Sequence, residues 1–559
     1  MTDDPIRRPP LPRRPPDQPW WERTDAARPL GVRLEPTQAD GRGRSAVQPT
    51  GYAPDHLLIS AVEQLAPIRR ILEAAAVHFG WSVRITQRLG GDELTDEEVE
   101  SAQASARTDR EQDRVPPLYR AVIVADPKEG VDDEPVAVID AWRLLQEARI
   151  EARDDSELKE LPRGVGLDHI MSIGPFPRTN PFSRTNPFPR TNPFPRTNAP
   201  GPDGYAEPGS GGRQAIGFVG AAPHGEWDTS DGGRRPIVAV MDTGCGSHPW
   251  LDGHVLPDPV TKYGPIGLTD PATDPEVYGD QAGPYDGFLD DAAGHGTFIA
   301  GIIRQRCPEA QILSIRVADS EGLVLEGEFL DTVRLFVAWV RGDGDKPHPV
   351  DVLNLSLGYY HETPRDILFD DAMSLLLVEA RRLGCAVVCS AGNDSTDRPA
   401  FPAALWAYPG AEYAVLDPGD IAPHVSVGAL NPDNRTVALF SNIGSWVKTY
   451  APGSSVLSIS PAFEGAVQAG TKDDVRIRGD LLPRASIDPD DFTGGFAVWS
   501  GTSFAAPYVA GAIAHRFAQA LGAQALAGGT EERCKVLRAA AHDVIGLLRI
   551  TAPVSPTTA

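Results

Sequence analysis

The sequence predicts an α/β fold: a three-layer sandwich with a mainly parallel sheet, preceded by a small N-terminal α+β domain. Two observations carry this. Between residues 237 and 521, short apolar runs alternate with longer stretches of helical periodicity, the pattern of parallel strands joined by crossover helices. Before residue 170, strand and helix patterns mix without that alternation, and a long Pro/Gly-rich stretch separates the two parts.

Taken in order, residues 1–50 are rich in Pro and Arg and read as a disordered arm. The chain turns globular near Gly51. Leu57, Leu58, Ala61, Val62, Leu65, Ile68, Leu72, Ala75 and Phe79 share one helical face despite Pro67, so a helix is expected over 57–79. Residues 81–85 alternate as a strand, 92–107 are polar and fit helix or loop, 119–125 read as a strand, and 135–153 read as a helix. These make an α+β domain over 51–170, with a connector beginning at Pro162-Arg163-Gly164-Val165-Gly166.

Residues 171–232 read as a linker. It contains Pro175-Phe176-Pro177-Arg178-Thr179-Asn180 and three further copies ending at Asn186, Asn192 and Asn198, with Ser183 replacing a proline. Such proline density favours an extended chain, about 70 Å for four units at ~3.1 Å per residue. A semi-rigid spacer is the preferred reading over a docking array or cleavage ladder.

In the larger part, 233–545, strands are expected at 237–241, 311–318, 350–356, 386–390 and 425–429. Helices are expected at 295–304, 327–341, 366–383, 505–521 and 531–541, and 546–559 form a tail. The chemistry-bearing residues sit at the joints. Val238-Ala239-Val240-Met241-Asp242-Thr243-Gly244 is a buried strand ending in a carboxylate, where open α/β sheets gather their sites. Gly294-His295-Gly296-Thr297 opens one small-residue helix, and Gly501-Thr502-Ser503-Phe504-Ala505-Ala506-Pro507 opens another. A serine hydroxyl needs a neighbouring base, histidine titrates near neutrality, and a buried carboxylate fixes the histidine tautomer.

Asp242, His295 and Ser503, in that order, closely resemble the subtilisin-like (subtilase) serine peptidases over about residues 233–545. The resemblance implies a serine endopeptidase. Ser503 would be the nucleophile, His295 the base and then the acid, and Asp242 its orienting carboxylate. In Val387-Val388-Cys389-Ser390-Ala391-Gly392-Asn393, the resemblance makes Asn393 the side-chain donor of the oxyanion hole. It makes Ser356-Leu357-Gly358 the edge that pairs with substrate backbone, with Ala391 and Gly392 also lining the substrate site. A non-catalytic peptide-binding relative, or a maturation peptidase dedicated to one partner peptide, are the alternatives.

The match has departures. Phe504, Ala506 and Tyr508 stand where the family more often has Met, Ser and His, and are expected to pack around the nucleophile helix. The family often follows its aspartate with His-Pro-Asp-Leu, whose Asp ligates a structural calcium. Here the run is His248-Pro249-Trp250-Leu251, and an indole offers no oxygen ligand. No cofactor is expected, and Asp252 is two positions away from that ligand. Two acidic insertions, 253–291 and 461–491, read as solvated decoration rather than a cation-binding rim.

Many subtilases carry an N-terminal α+β propeptide whose tail fills the active site. Residues 51–170 have a compatible size, but a long linker follows them. A regulatory or recruiting domain is therefore expected over a removable propeptide.

Composition sets bounds. The formal net charge of −25 over 559 residues argues against nucleic-acid binding, leaving a protein or peptide substrate as the expected partner. No apolar run is long enough to span a membrane. The first residues, Met1-Thr2-Asp3-Asp4-Pro5-Ile6-Arg7-Arg8, lack the apolar segment of a secretory signal. Five cysteines, Cys245, Cys307, Cys385, Cys389 and Cys534, fit free thiols in a reducing compartment, and a cytoplasmic location is expected.

Overall fold

The computed structural model describes residues 31–34, 47–112, 114–126, 137–173, 213–225, 227, 234–281, 289–342, 346–363, 372–409, 417–463, 475–477, 480–482, 491–525 and 529–548. The hexapeptide repeats, most of the 461–491 insertion and the 549–559 end of the expected tail lie outside them.

Six parallel strands form the central sheet, in the spatial order Gln311–Arg316, Ile237–Asp242, Val352–Leu355, Ala386–Ser390, His424–Leu430 and Thr449–Pro452. Alternation along each strand builds the three layers. Val238, Val240, Val352, Ala386 and Val388 face one core, shared with helices His295–Arg306, Thr502–Ala525 and Thr530–Leu547. Ala239, Met241, Leu353, Leu355, Val387 and Cys389 face the other, against helices Glu326–Arg341 and Ala372–Arg382. Every strand and helix expected in this part is present, with ends shifted by a few residues. Cys385, Cys307, Cys389 and Cys534 are buried free thiols, and Cys245 is a half-buried one.

The N-terminal part is an antiparallel sheet with strand order Val165–Ser172, Thr50–Ile59, Tyr119–Ala125, Trp81–Thr86, and Val32–Leu34 also pairs with Thr50–Ile59. Helices Leu65–Val77, Asp96–Glu111 and Ala141–Asp154 accompany it, and one apolar core joins them to the sheet. Thr95 opens the second helix with a reciprocal cap against Glu98, which resolves the helix-or-loop ambiguity of 92–107.

Four expectations are corrected. Leu57 and Leu58 belong to the Thr50–Ile59 strand, and the helix begins only at Leu65. Pro67 explains this: it has no N–H and clashes with a preceding helical turn, so it is tolerated only in a first turn. Residues 165–172 are a sheet strand rather than a connector, because Val165, Leu167 and Met171 alternate into the interior. Val32–Leu34, in the arm read as disordered, pairs with Thr50–Tyr52. Gln214–Ile216, in the stretch read as linker, pairs antiparallel with Phe496–Trp499 beside the nucleophile helix.

The two parts share a sheet. Leu323–Leu325, which leads into the Glu326–Arg341 helix, pairs antiparallel with Ile170–Ser172. The same helix receives the N-terminal sheet on its first turn. Asp168 accepts from Gly327 N at 2.9 Å, and Arg120 reaches Asp331 at 3.0 Å. A Cβ at Gly327 would lie 2.6 Å from Leu58 Cδ2, so only glycine allows this approach.

Candidate active site

Asp242 is the last residue of its strand and is fully buried. Its Oδ1 lies 2.8 Å from His295 Nδ1 and also accepts the Thr243 N–H at 2.8 Å. His295 is the first residue of its helix, behind Gly294 in the left-handed region at φ 78°. A Cβ at Gly296 would meet Gly244 O at 2.0 Å. The glycines of the two motifs therefore touch, and this contact lets the helix end reach the strand end. His295 Nε2 is buried and makes no hydrogen bond among the described residues.

Aromatic rings hold the imidazole. Trp499 meets it edge-on at 5.6 Å between centroids, and Phe504 lies 5.1 Å away. Phe504 thus packs directly on the base as well as behind the nucleophile. Arg213 stacks over Trp499 at 4.9 Å and donates to Ala293 O at 2.8 Å.

Ser503 lies in the first turn of its helix, where leading N–H groups have no intrahelical acceptor. Its Oγ donates to Ser356 O at 3.3 Å, and its carbonyl accepts from Ser356 Oγ at 2.9 Å. Asn354 Nδ2 in turn donates to Ser356 Oγ at 3.0 Å. Asn393 is fixed by Thr502, whose N–H and Oγ1 reach Asn393 Oδ1 at 2.9 and 2.8 Å. With Oδ1 so engaged, the amide presents Nδ2 as its donor end. Thr502 also accepts from Gly392 N at 3.1 Å. Sequence reading missed this orienting role of Thr502, although the residue lies inside the quoted motif. Ala391 and Gly392 sit beside Asn393 as expected, with Ala391 O accepting from Asn442 Nδ2 at 2.8 Å.

The edge formed by Ser356, Leu357 and Gly358 is occupied by the chain itself. Ser172 N donates to Gly358 O at 3.0 Å, and Gly358 N donates to Ser172 O at 3.1 Å. Ile173 N donates to Gly322 O at 2.7 Å, while Met171 pairs with Val324. Residues 170–173 are thus held from both sides, and Met171 and Ile173 are fully buried. Behind this strand, His169 lies between Glu326 at 2.6 Å and Glu362 at 2.9 Å. Burial opposes its charge, but the two carboxylates override burial and raise its pKa to about 10.

Three sets of side chains converge closely enough to share an ion among the described residues: His169, His361 and Glu362; Cys307, Glu309 and His515; His78, Glu147 and Glu151. In the first, both His169 nitrogens are engaged by carboxylates, so the set serves as an ion-pair network between the two parts. Trp250 is buried, donates through Nε1 to Gly220 O at 3.2 Å, and meets Phe496 edge-on. Asp252 beside it is exposed.

Residues 233–534 match a family model described as the subtilase family. An "Intracellular serine protease" of Paenibacillus polymyxa is 29% identical over 301 residues, covering 50% of this chain and 66% of the relative. "Serine protease AprX" of Bacillus subtilis (strain 168) is 26% identical over 244 residues, covering 41% of this chain and 48% of the relative. "Fervidolysin" of Fervidobacterium pennivorans is 30% identical over 305 residues, covering 52% and 35%. The match thus spans from a third to just under two thirds of these relatives' own lengths. Among the described residues no helix is long and apolar enough to cross a membrane.

Proposed function

Because this chain belongs to the subtilase family, we propose that it is a serine endopeptidase whose triad is Asp242, His295 and Ser503. The observation that carries the reading is the buried 2.8 Å contact between Asp242 and His295 Nδ1. It holds the other ring nitrogen available as a base toward the Ser503 helix. Ser503 Oγ gives its proton to His295 Nε2 as it attacks the scissile carbonyl. Asp242 stabilises the resulting imidazolium, and Asn393 Nδ2 with the Ser503 N–H receives the oxyanion. His295 then protonates the leaving amine, and water releases the acyl group by the same route. The test is labelling of the full chain with a fluorophosphonate, with the adduct located by peptide mass. Attachment at a serine other than Ser503 overturns the assignment.

A second reading concerns the N-terminal domain, and the occupied edge favours it. Residues 170–173 lie where strand addition would place a peptide substrate, so the domain acts as an internal blocker of the cleft. This goes beyond mere recruitment, since Gly322 and Gly358 cannot pair with two strands at once. Ser172→Pro removes the N–H given to Gly358 O. Loss of one such bond, about 1 kcal/mol, should raise peptide hydrolysis by the full chain roughly fivefold. An unchanged rate would show that this strand does not compete with substrate.

The apolar setting of Trp250 supports independence from calcium at the position after the catalytic aspartate. EDTA should leave Tm unchanged. A fall in Tm that calcium reverses would place a site elsewhere, with the acidic loops as first candidates.

A further inference from the structure

The insertion that reads as solvated decoration sends one carboxylate into the interior. Glu276 is 3% exposed and lies between the Asp242 turn and the His295 helix. Its Oε1 accepts from Thr243 Oγ1 at 2.5 Å and from Gly296 N at 3.2 Å. Its Oε2 accepts from Thr297 Oγ1 at 2.5 Å and from Thr297 N at 3.4 Å. Thr243 follows Asp242 in sequence, and Gly296 and Thr297 follow His295. One side chain therefore ties together the residues next to both members of the pair.

The His295 helix needs such a partner. Its N-cap is Gly294, which has no side chain to offer, and no local side chain caps it. A carboxylate at a helix N-terminus satisfies orphan N–H groups and complements the helix dipole. Here it arrives from 20 residues away in sequence. The hydroxyl of Thr243 carries one proton. At 2.5 Å from Glu276 and 3.2 Å from Asp242 Oδ1, it is directed to Glu276. That leaves Asp242 Oδ1 to His295 Nδ1 and the Thr243 N–H.

We propose that Glu276 is a positioning residue of the triad: it caps the His295 helix, clamps it to the Asp242 turn, and so fixes the Asp242–His295 contact. The assignment rests on the triad reading above. The charge environment fits a group that matters electrostatically. Burial raises the Glu276 pKa to about 7; hydrogen bonds from Thr243 and Thr297 oppose this, and Asp274 and Asp242 add to it. The other groups facing this corner are Cys245, whose thiol is pushed up by burial and then by Glu276 and Asp274, and Arg316, which lies against Gly244 and lowers Asp274. An ionised Glu276 favours the imidazolium that forms when Ser503 is deprotonated.

The experiment measures fluorophosphonate reaction of Ser503 in the full chain, split into kinact and KI, across pH, for wild type, Glu276→Asp and Glu276→Gln. The small probe needs only the oxyanion site and not the edge held by residues 170–173. Glu276→Asp keeps the charge but is too short to reach both threonines. It should lower kinact about tenfold at unchanged KI, with the acid limb of the profile in place. Glu276→Gln keeps the reach but loses the charge. His295 then stays neutral to lower pH, and the acid limb should move down by roughly half a unit or more. Thermal unfolding is followed in parallel. If both variants lose Tm but keep the wild-type kinact and acid limb, Glu276 is a filler of the core and the proposal fails. If wild type itself does not react at Ser503, the triad reading fails, and the positioning role with it.

Discussion

Ser503→Ala is expected to abolish hydrolysis of unstructured protein while leaving the fold intact. The Oγ is the only atom lost, and its contact in the resting structure is a 3.3 Å bond to Ser356 O. The helix itself is held by other means. Phe504, Ala505, Ala506, Val509 and Ala510 are fully buried behind the sheet, and the Ser503 carbonyl still accepts from Ser356. Stability should therefore change by less than about 1 kcal/mol. Activity should fall by on the order of 10⁵ or more, because no neighbouring group supplies a substitute nucleophile that His295 is placed to activate. Casein cleavage and fluorophosphonate labelling measure the activity, and the unfolding midpoint controls for the fold. Parental turnover in the purified variant would show that the nucleophile lies elsewhere.

Asn393→Ala should lower kcat by roughly 10²–10³-fold with little change in KM, a magnitude that belongs to subtilisin itself. The physical basis here is the pair of bonds from Thr502 to Asn393 Oδ1, at 2.9 and 2.8 Å. They fix the amide before substrate arrives, so its donor needs no reorganisation when negative charge develops on the carbonyl oxygen. The donor acts on that charge more than on the neutral ground state, and this predicts a kcat effect. A large KM effect at unaltered kcat would instead make Asn393 a ground-state binding residue. Thr502→Val provides an internal check. It removes the hydroxyl bond that orients Asn393 and leaves the donor present, so its defect in kcat should be smaller than that of Asn393→Ala.

The site was legible in sequence where chemistry constrains neighbouring residues. Asp242 ends an apolar run because a central strand must be apolar until it leaves the sheet. His295 and Ser503 each lie beside or near a glycine and open a helix of small residues, because those helix ends approach other backbone closely. The Gly296–Gly244 contact is one case in which this reading corresponds to an observed distance. The parallel sheet was legible for the same reason, since strands buried on both faces are written as continuous apolar runs.

What sequence reading missed depends on partners distant along the chain. Glu276 is one acidic residue in a loop full of them, and only the threonines that fold over it distinguish it from its solvated neighbours. Residues 165–172 carry a strand pattern interrupted by Gly166, Asp168 and His169, which reads as a connector. Those polar residues are buried because Gly327, Glu326 and Glu362 receive them from 150 or more residues away. Local pattern by itself determined the elements, the order of the catalytic residues and the glycines that let them meet. Tertiary structure alone decided which buried carboxylate caps the histidine helix and which strand lies on the substrate edge. Burial and hydrogen-bond satisfaction belong to the assembled molecule, and no window of sequence contains both partners.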